Sequence, residues 1–137
     1  MTSVQALIGF AAWTLLLVLL VFLWRGIEIL RGKKADSWTR GNAIESPGLV
    51  KRIEHAHLNC LENLPIFAVI VLGAAVTGKS ALTEPYAACV LYARFGQSLV
   101  HLAGVNHWLV MLRAGFWAAQ LVLFIVMMYS LLGGHAV

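Results

Sequence analysis

Apolar residues fill four long stretches of this chain, and short polar segments separate them. Residues 6–24 run without a charge. A helix needs about 20 apolar residues to cross a bilayer core of about 30 Å, so a first spanning helix is predicted over about 5–31. A cleavable signal peptide is the competing reading, but residues 1–5 carry no cationic leader. Residues 25–52 form the polar segment, with Arg25, Arg31, Lys33, Lys34, Arg40, Lys51 and Arg52 against Glu28, Asp36 and Glu45. Within it, 32–46 reads as a loop punctuated by Gly32, Gly41 and Asn42. Ser46 and Pro47 read as a helix start, a capping hydroxyl followed by proline at the first helical position. The second helix is predicted over 47–77, closed by Gly78. Pro65 removes the bond to the Leu61 carbonyl and predicts a kink near 61–65. A third helix over 82–103 and a fourth over 107–132 are joined by a tight turn containing Gly104 and Asn106, and Gly133-Gly134 ends the fourth. The expected fold is all-α, one integral membrane domain built as a four-helix bundle.

Composition strengthens the membrane reading. Of 137 residues, 61% are hydrophobic and 12% charged, and the mean hydropathy is +0.83. A soluble domain is about 45–50% apolar and about 25% charged. The ten Lys and Arg against six Asp and Glu leave +4. Nucleic acid would need those cations on one soluble face. Here they sit between apolar runs, so membrane lipids, and not nucleic acid, are the expected partner. Four spans put both termini on one side. The basic loop 32–46 lies on the other, while the loop near 78–81 holds only Lys79. The positive-inside rule then predicts an N-out, C-out topology, in a bacterial inner membrane or one like the endoplasmic reticulum. Trp13, Trp24, Trp38 and Trp108 read as interface anchors, and Cys60 and Cys89 as small core residues.

The informative residues are polar groups at membrane depth, where a charge costs about 2.5–3.5 kcal/mol or more. Arg52, His55, Asn59 and Glu62 recur at helical spacing on the second helix. So do Arg94, Gln97, Ser98 and His101 on the third, and Arg113, Trp117 and Gln120 on the fourth. Three stripes facing lipid would be expensive, so they are expected to face one another around a pocket opening toward the basic loop. One glutamate among two arginines allows an ion pair of Glu62 with Arg94 or Arg113, and leaves a surplus cation suited to an anionic ligand. His57 lies about 140° from Arg52 around the helix and reads as a packed or interhelical hydrogen-bonding histidine. For the same reason His55 and His57 cannot share a metal, and no metal site is expected.

The segment Glu54-His55-Ala56-His57-Leu58-Asn59-Cys60-Leu61-Glu62-Asn63-Leu64-Pro65 resembles the signature of the MAPEG family, the membrane-associated proteins in eicosanoid and glutathione metabolism. Ala93-Arg94 and Arg113 also fall where that family has arginines. The resemblance covers about residues 5–132 and is nearest to glutathione-transferase-like members of a bacterial kind. It implies a homotrimer of four-helix subunits that binds glutathione as co-substrate, in a pocket open to the cytoplasm. Asn59 and Glu62 would contact glutathione, with Glu62 taking its ammonium group. Arg94 would support the site, and Arg113 would be catalytic, holding the thiol as thiolate. Arg31 or Arg25 would add an arginine from the first helix. The stripe residues Arg52, His55, Gln97 and His101 complete the candidate glutathione set. The second substrate would be a lipophilic small molecule or lipid.

The chain departs from the family pattern at several of these positions. His55 stands where relatives often carry arginine, and Leu58 where some are basic. Gln97 and His101 replace a histidine and a tyrosine, Ala114 replaces a serine, and Trp117 a tyrosine. Three functions are therefore weighed. One is a glutathione transferase or peroxidase, and another a non-catalytic binding protein for a lipid or metabolite. The third, a proton-coupled exporter, fits two membrane arginines badly.

Overall fold

Strong caps open two of the helices. The computed structural model describes residues 1–39 and 46–133, and every regular element among them is helical. Helix α1 spans Ser3–Leu30, α2 Gly48–Val76, α3 Glu84–Ala103 and α4 His107–Leu131. Short 3-10 turns occupy Ala35–Trp38 and Ser80–Leu82. Thr2 and Gln5 form a reciprocal capping box at the start of α1. The Asn106 Oδ1 accepts from the Leu109 amide at 2.9 Å and caps α4.

The start of α2 differs from expectation. Pro47 itself is the N-cap, with ψ 147°, and the helix begins at Gly48. Ser46 is thus one residue too early for its hydroxyl to reach the first free amides, and its Oγ has no partner. The helix continues unbroken through Pro65. Gly32 and Gly78 close α1 and α2 with φ of +97° and +71°, a conformation that favours glycine. Gly41, Asn42 and Gly134, expected as breakers, lie outside the described residues, as do Arg40 and Glu45.

Side-chain contacts fix an antiparallel succession. Ser3 at the start of α1 is bonded to Thr83 before α3 at 2.8 Å. Lys79, after α2, donates to the Leu131 carbonyl at the end of α4. At the opposite end, Arg25 of α1 pairs with Glu54 of α2, and the Arg52 Nε donates to the Leu102 carbonyl of α3. The core between helices holds a ladder of rings, Phe10 against Phe67 and Phe67 against Phe124. Ala6, Ala56, Ala74 and Ala87 are buried beside it. Such small residues let helix backbones approach closely.

The outer surface is apolar, with Leu15, Leu19, Phe22, Val69, Val122 and Ile125 all exposed. No aqueous globule tolerates so continuous an apolar exterior. Helices α1, α2 and α4 are long and apolar enough to cross a membrane. Helix α3 forms where a fourth span is expected, but it is shorter and more polar. Its Arg94, Gln97, Ser98 and His101 are all buried, so the other helices shield them.

Three single-residue expectations are corrected by packing. Cys60 is buried, but Cys89 is exposed on α3. Trp13 packs inside the bundle, its ring 5.1 Å from that of Phe95 and its Nε1 donating to the Ser98 Oγ at 3.0 Å. Trp38 is also buried, edge-on to Trp24 at 5.6 Å. Trp108, by contrast, is largely exposed.

Candidate functional site

The polar stripes of α2, α3 and α4 meet along one cleft of about 530 Å³. Helix α2 contributes His55, Leu58, Asn59 and Glu62, α3 contributes Gln97 and His101, and α4 contributes Val110, Arg113, Ala114 and Trp117. Each set recurs at steps of three or four residues, so one face of each helix lines the space. The volume lies within the usual range of small-molecule sites, about 300–1,000 Å³.

One nitrogen organises the polar wall. The His101 Nδ1 receives the Arg113 Nη1 at 2.6 Å and the Asn59 Nδ2 at 3.4 Å. A guanidinium and an amide NH₂ can only donate, so this nitrogen accepts and the ring hydrogen sits on Nε2. The His55 ring stands edge-on to that of His101, 6.0 Å away. A second network lies behind the wall. The Gln120 Nε2 donates to the Gln97 Oε1 at 2.9 Å and to the Phe116 carbonyl at 3.0 Å. The Asn63 Nδ2 donates to the Gln120 Oε1 at 3.4 Å. Buried amides are thereby satisfied across three helices, which fixes their rotation about their own axes.

Glu62 stands apart. It is exposed, and it forms no hydrogen bond or ion pair among the described residues. The ion pairs there are Arg25 with Glu54 and Arg31 with Glu28. The pairing of Glu62 with Arg94 or Arg113 weighed from sequence does not form. The cleft therefore holds an acidic group without a partner and a guanidinium whose contact, a neutral imidazole nitrogen, leaves its charge uncompensated.

Other candidate residues are placed elsewhere. Arg94 is fully buried behind the cleft, 5.1 Å from the Phe10 ring centroid, and its Nε, Nη1 and Nη2 lack hydrogen-bond partners. Arg52 is half-buried and bonded to the end of α3. Arg31 is exposed just past the end of α1 and paired with Glu28 of that helix. Arg25 is tied to Glu54 and does not line the cleft. His57 turns from the cleft toward α1, donating its Nδ1 hydrogen to the Thr14 carbonyl at 3.0 Å, the interhelical role expected of it.

Of the apolar lining, the sequence marks Leu58, Ala114 and Trp117 as departures from the family pattern and leaves Val110 unmarked. Leu58 lies between His55 and Glu62 on the same face, and Val110 and Ala114 flank Arg113 by helical spacing. The spacing was available, but an apolar residue in an apolar helix carries no signal of its own. Asn63 stands in the quoted signature segment but lies just beyond the Glu62 stripe, so helical spacing alone does not mark it. In chemical terms, the cleft offers both charge signs and amide donors, interleaved with the apolar side chains Leu58, Val110 and Ala114. It suits a small zwitterion together with an apolar molecule.

A family model described as the MAPEG family matches residues 4–133. No curated protein and no solved structure matches the chain.

Proposed function

The chain belongs to the MAPEG family, and from that premise we propose that it is a membrane-bound glutathione-dependent transferase with peroxidase capacity. Its apolar helices and its family make it an integral membrane protein of the glutathione and eicosanoid metabolism kind. The observation that carries the proposal is the cleft that holds Glu62, without a partner, and Arg113 together.

In this reading the Glu62 carboxylate takes the ammonium of glutathione. Asn59, Gln97 and His55 orient its amides and carboxylates. Arg113 faces the sulfur. A free thiol has a pKa of about 8.5, and only the thiolate is nucleophilic. A fixed guanidinium in a site sheltered from water favours the anion without being consumed. The lipophilic substrate reaches the sulfur along Leu58, Val110, Ala114 and Trp117. In conjugation, a sulfur–carbon bond forms and the leaving group departs with its electron pair. With a lipid hydroperoxide, sulfur attacks the terminal oxygen, the O–O bond breaks, and the lipid leaves as an alcohol after taking up a proton. A second glutathione then releases water and the disulfide. The proposal includes a homotrimer, in a bacterial inner membrane, with the cleft open to the cytoplasm.

The test is glutathione titration of the purified protein in detergent, followed by calorimetry and by the ultraviolet absorbance of the thiolate. Arg113→Ala is expected to abolish the thiolate signal while retaining binding, and Glu62→Gln to weaken binding itself. Absence of heat, of thiolate and of turnover with a generic electrophile would refute the proposal. Tight lipid retention under those same conditions would favour a non-catalytic lipid-binding protein.

A further inference from the structure

Binding glutathione as a thiolate frees one proton, and three of the side chains lining the cleft can accept it, Glu62, His101 and His55. Glu62 is committed, since in the proposed mode of binding its carboxylate takes the ammonium group. His101 is closed on both sides. Its Nδ1 already accepts from the Arg113 Nη1 at 2.6 Å and from the Asn59 Nδ2 at 3.4 Å. Its Nε2 carries the ring hydrogen. A proton placed on that Nδ1 would expel the guanidinium that faces the sulfur.

His55 remains open. It is exposed, lines the cleft, and makes no hydrogen bond among the described residues. A neutral imidazole has one N–H and one bare nitrogen, so the first can orient glutathione while the second takes a proton. Its ring lies 6.0 Å from that of His101, whose Nδ1 holds Arg113, so base and guanidinium flank the same imidazole. A general base works at hydrogen-bond reach or through one water. The surrounding charges suit a proton held only briefly. On α2, Arg52 lies one turn before His55 and Glu62 two turns after it. Helix α3 presents the neutral His101 and α4 presents Arg113. The α1 cation at this end, Arg25, is paired with Glu54. A thiolate at Arg113 attracts the imidazolium, and once the thiolate is consumed the imidazolium faces two guanidiniums.

Resting on the glutathione reading of the cleft, we propose that His55 carries the proton of the reaction and fits the site to hydroperoxide substrates. The thiol S–H bond breaks with its electron pair left on sulfur, and the proton bonds to the bare ring nitrogen of His55. Sulfur then attacks the terminal peroxide oxygen. The O–O bond breaks, its electron pair leaves on the alkoxide, and the alkoxide takes the proton from His55. The products are an alcohol, the sulfenic acid of glutathione and a neutral His55, with no proton drawn from water. An alkoxide leaves poorly unless it is protonated, so the carrier serves hydroperoxides more than electrophiles that lose a halide.

The test counts protons. The full chain in detergent and weak buffer at neutral pH is mixed with glutathione, and thiolate absorbance is compared with the proton released to a pH indicator. The wild type is expected to release less than one proton per thiolate. His55→Asn and His55→Gln keep an N–H donor but cannot carry a proton, and each is expected to release one. At saturating glutathione both variants are expected to lose about 100-fold in turnover of cumene hydroperoxide, as general acid–base catalysis implies. The loss with chlorodinitrobenzene, whose chloride leaves without a proton, is expected to be much smaller. A full proton per thiolate in the wild type overturns the proposal, because water then takes it. An equal loss with both substrates also overturns it, because His55 then only holds glutathione. Both results leave the thiolate standing, and with it the glutathione reading. Absence of any thiolate in the wild type removes that reading and the proton carrier together.

Discussion

The Arg113 guanidinium rests on the Nδ1 of His101 at 2.6 Å, so a histidine of α3 holds the cation of α4 in the cleft. The same nitrogen receives Asn59 of α2. His101 thereby acts as a positioning residue for the proposed thiolate-stabilising group. His101→Leu is expected to raise the pKa of bound glutathione by about one unit, equivalent to about 1.4 kcal/mol. His101→Asn, which keeps an acceptor, is expected to move it less. The measurement is the pH midpoint of thiolate absorbance at saturating glutathione. A midpoint equal to the wild type in His101→Leu would show that Arg113 does not depend on His101.

Close packing of α3 on α4 underlies that geometry. A Cβ at Gly96 would come within 2.8 Å of the Phe116 ring. Overpacking of this kind costs about 1–3 kcal/mol. Gly96→Ala is expected to lower thermal stability in detergent by that amount, and Gly96→Ala with Phe116→Leu to recover most of it. No rescue by the second substitution would mean that the helices do not meet at these residues.

The buried amide network makes a separate prediction. Gln120 joins Gln97 and Asn63. Interhelical hydrogen bonds within membranes average about 0.6 kcal/mol and reach about 1.7. Gln120→Leu strands two buried amides, so a loss of about 1–2 kcal/mol is expected in reversible unfolding in detergent. Glutathione affinity should fall with it, because Gln97 lines the cleft. A variant as stable as the wild type would remove the network from the account of the fold.

Arg94 behaves oppositely to an ion-paired residue. Its nitrogens meet no partner with hydrogen-bond geometry and no ion pair includes it among the described residues, although the Cys60 thiol and the Glu62 carboxylate are near enough to act on its charge. Burying a charge without a pair is costly, so an apolar residue of similar volume removes that cost. Arg94→Met is expected to match or exceed wild-type thermal stability. A loss of about 3 kcal/mol or more, typical of breaking a buried pair, would show that the guanidinium has an anionic partner in the membrane.

Much of the architecture was legible along the chain. The uncharged run 6–24 demanded a helix, because a backbone in hydrocarbon must satisfy its own hydrogen bonds. The breakers Gly32 and Gly78 took the left-handed conformations their positions required. The stripe periodicity also brought His55, Asn59, Glu62, Gln97, His101 and Arg113 to one place, since spacing at 3.6 residues per turn fixes the face a side chain occupies.

Spacing sets the face of a helix, but it does not set which helix that face meets or how deeply a side chain sinks. Arg94 and Gln97 share the α3 stripe, yet Gln97 reaches the cleft while Arg94 is enclosed against Phe10 of α1. Arg31 and Arg25 looked interchangeable as helix-one arginines, and each found a carboxylate of its own. The convergence of Arg113 and Asn59 on one imidazole nitrogen, and the unpartnered state of Glu62, depend on how three helices are rotated against each other. That rotation is set by contacts far apart in the chain, such as Gly96 with Phe116 and Gln120 with Asn63, so only the packed bundle could decide it.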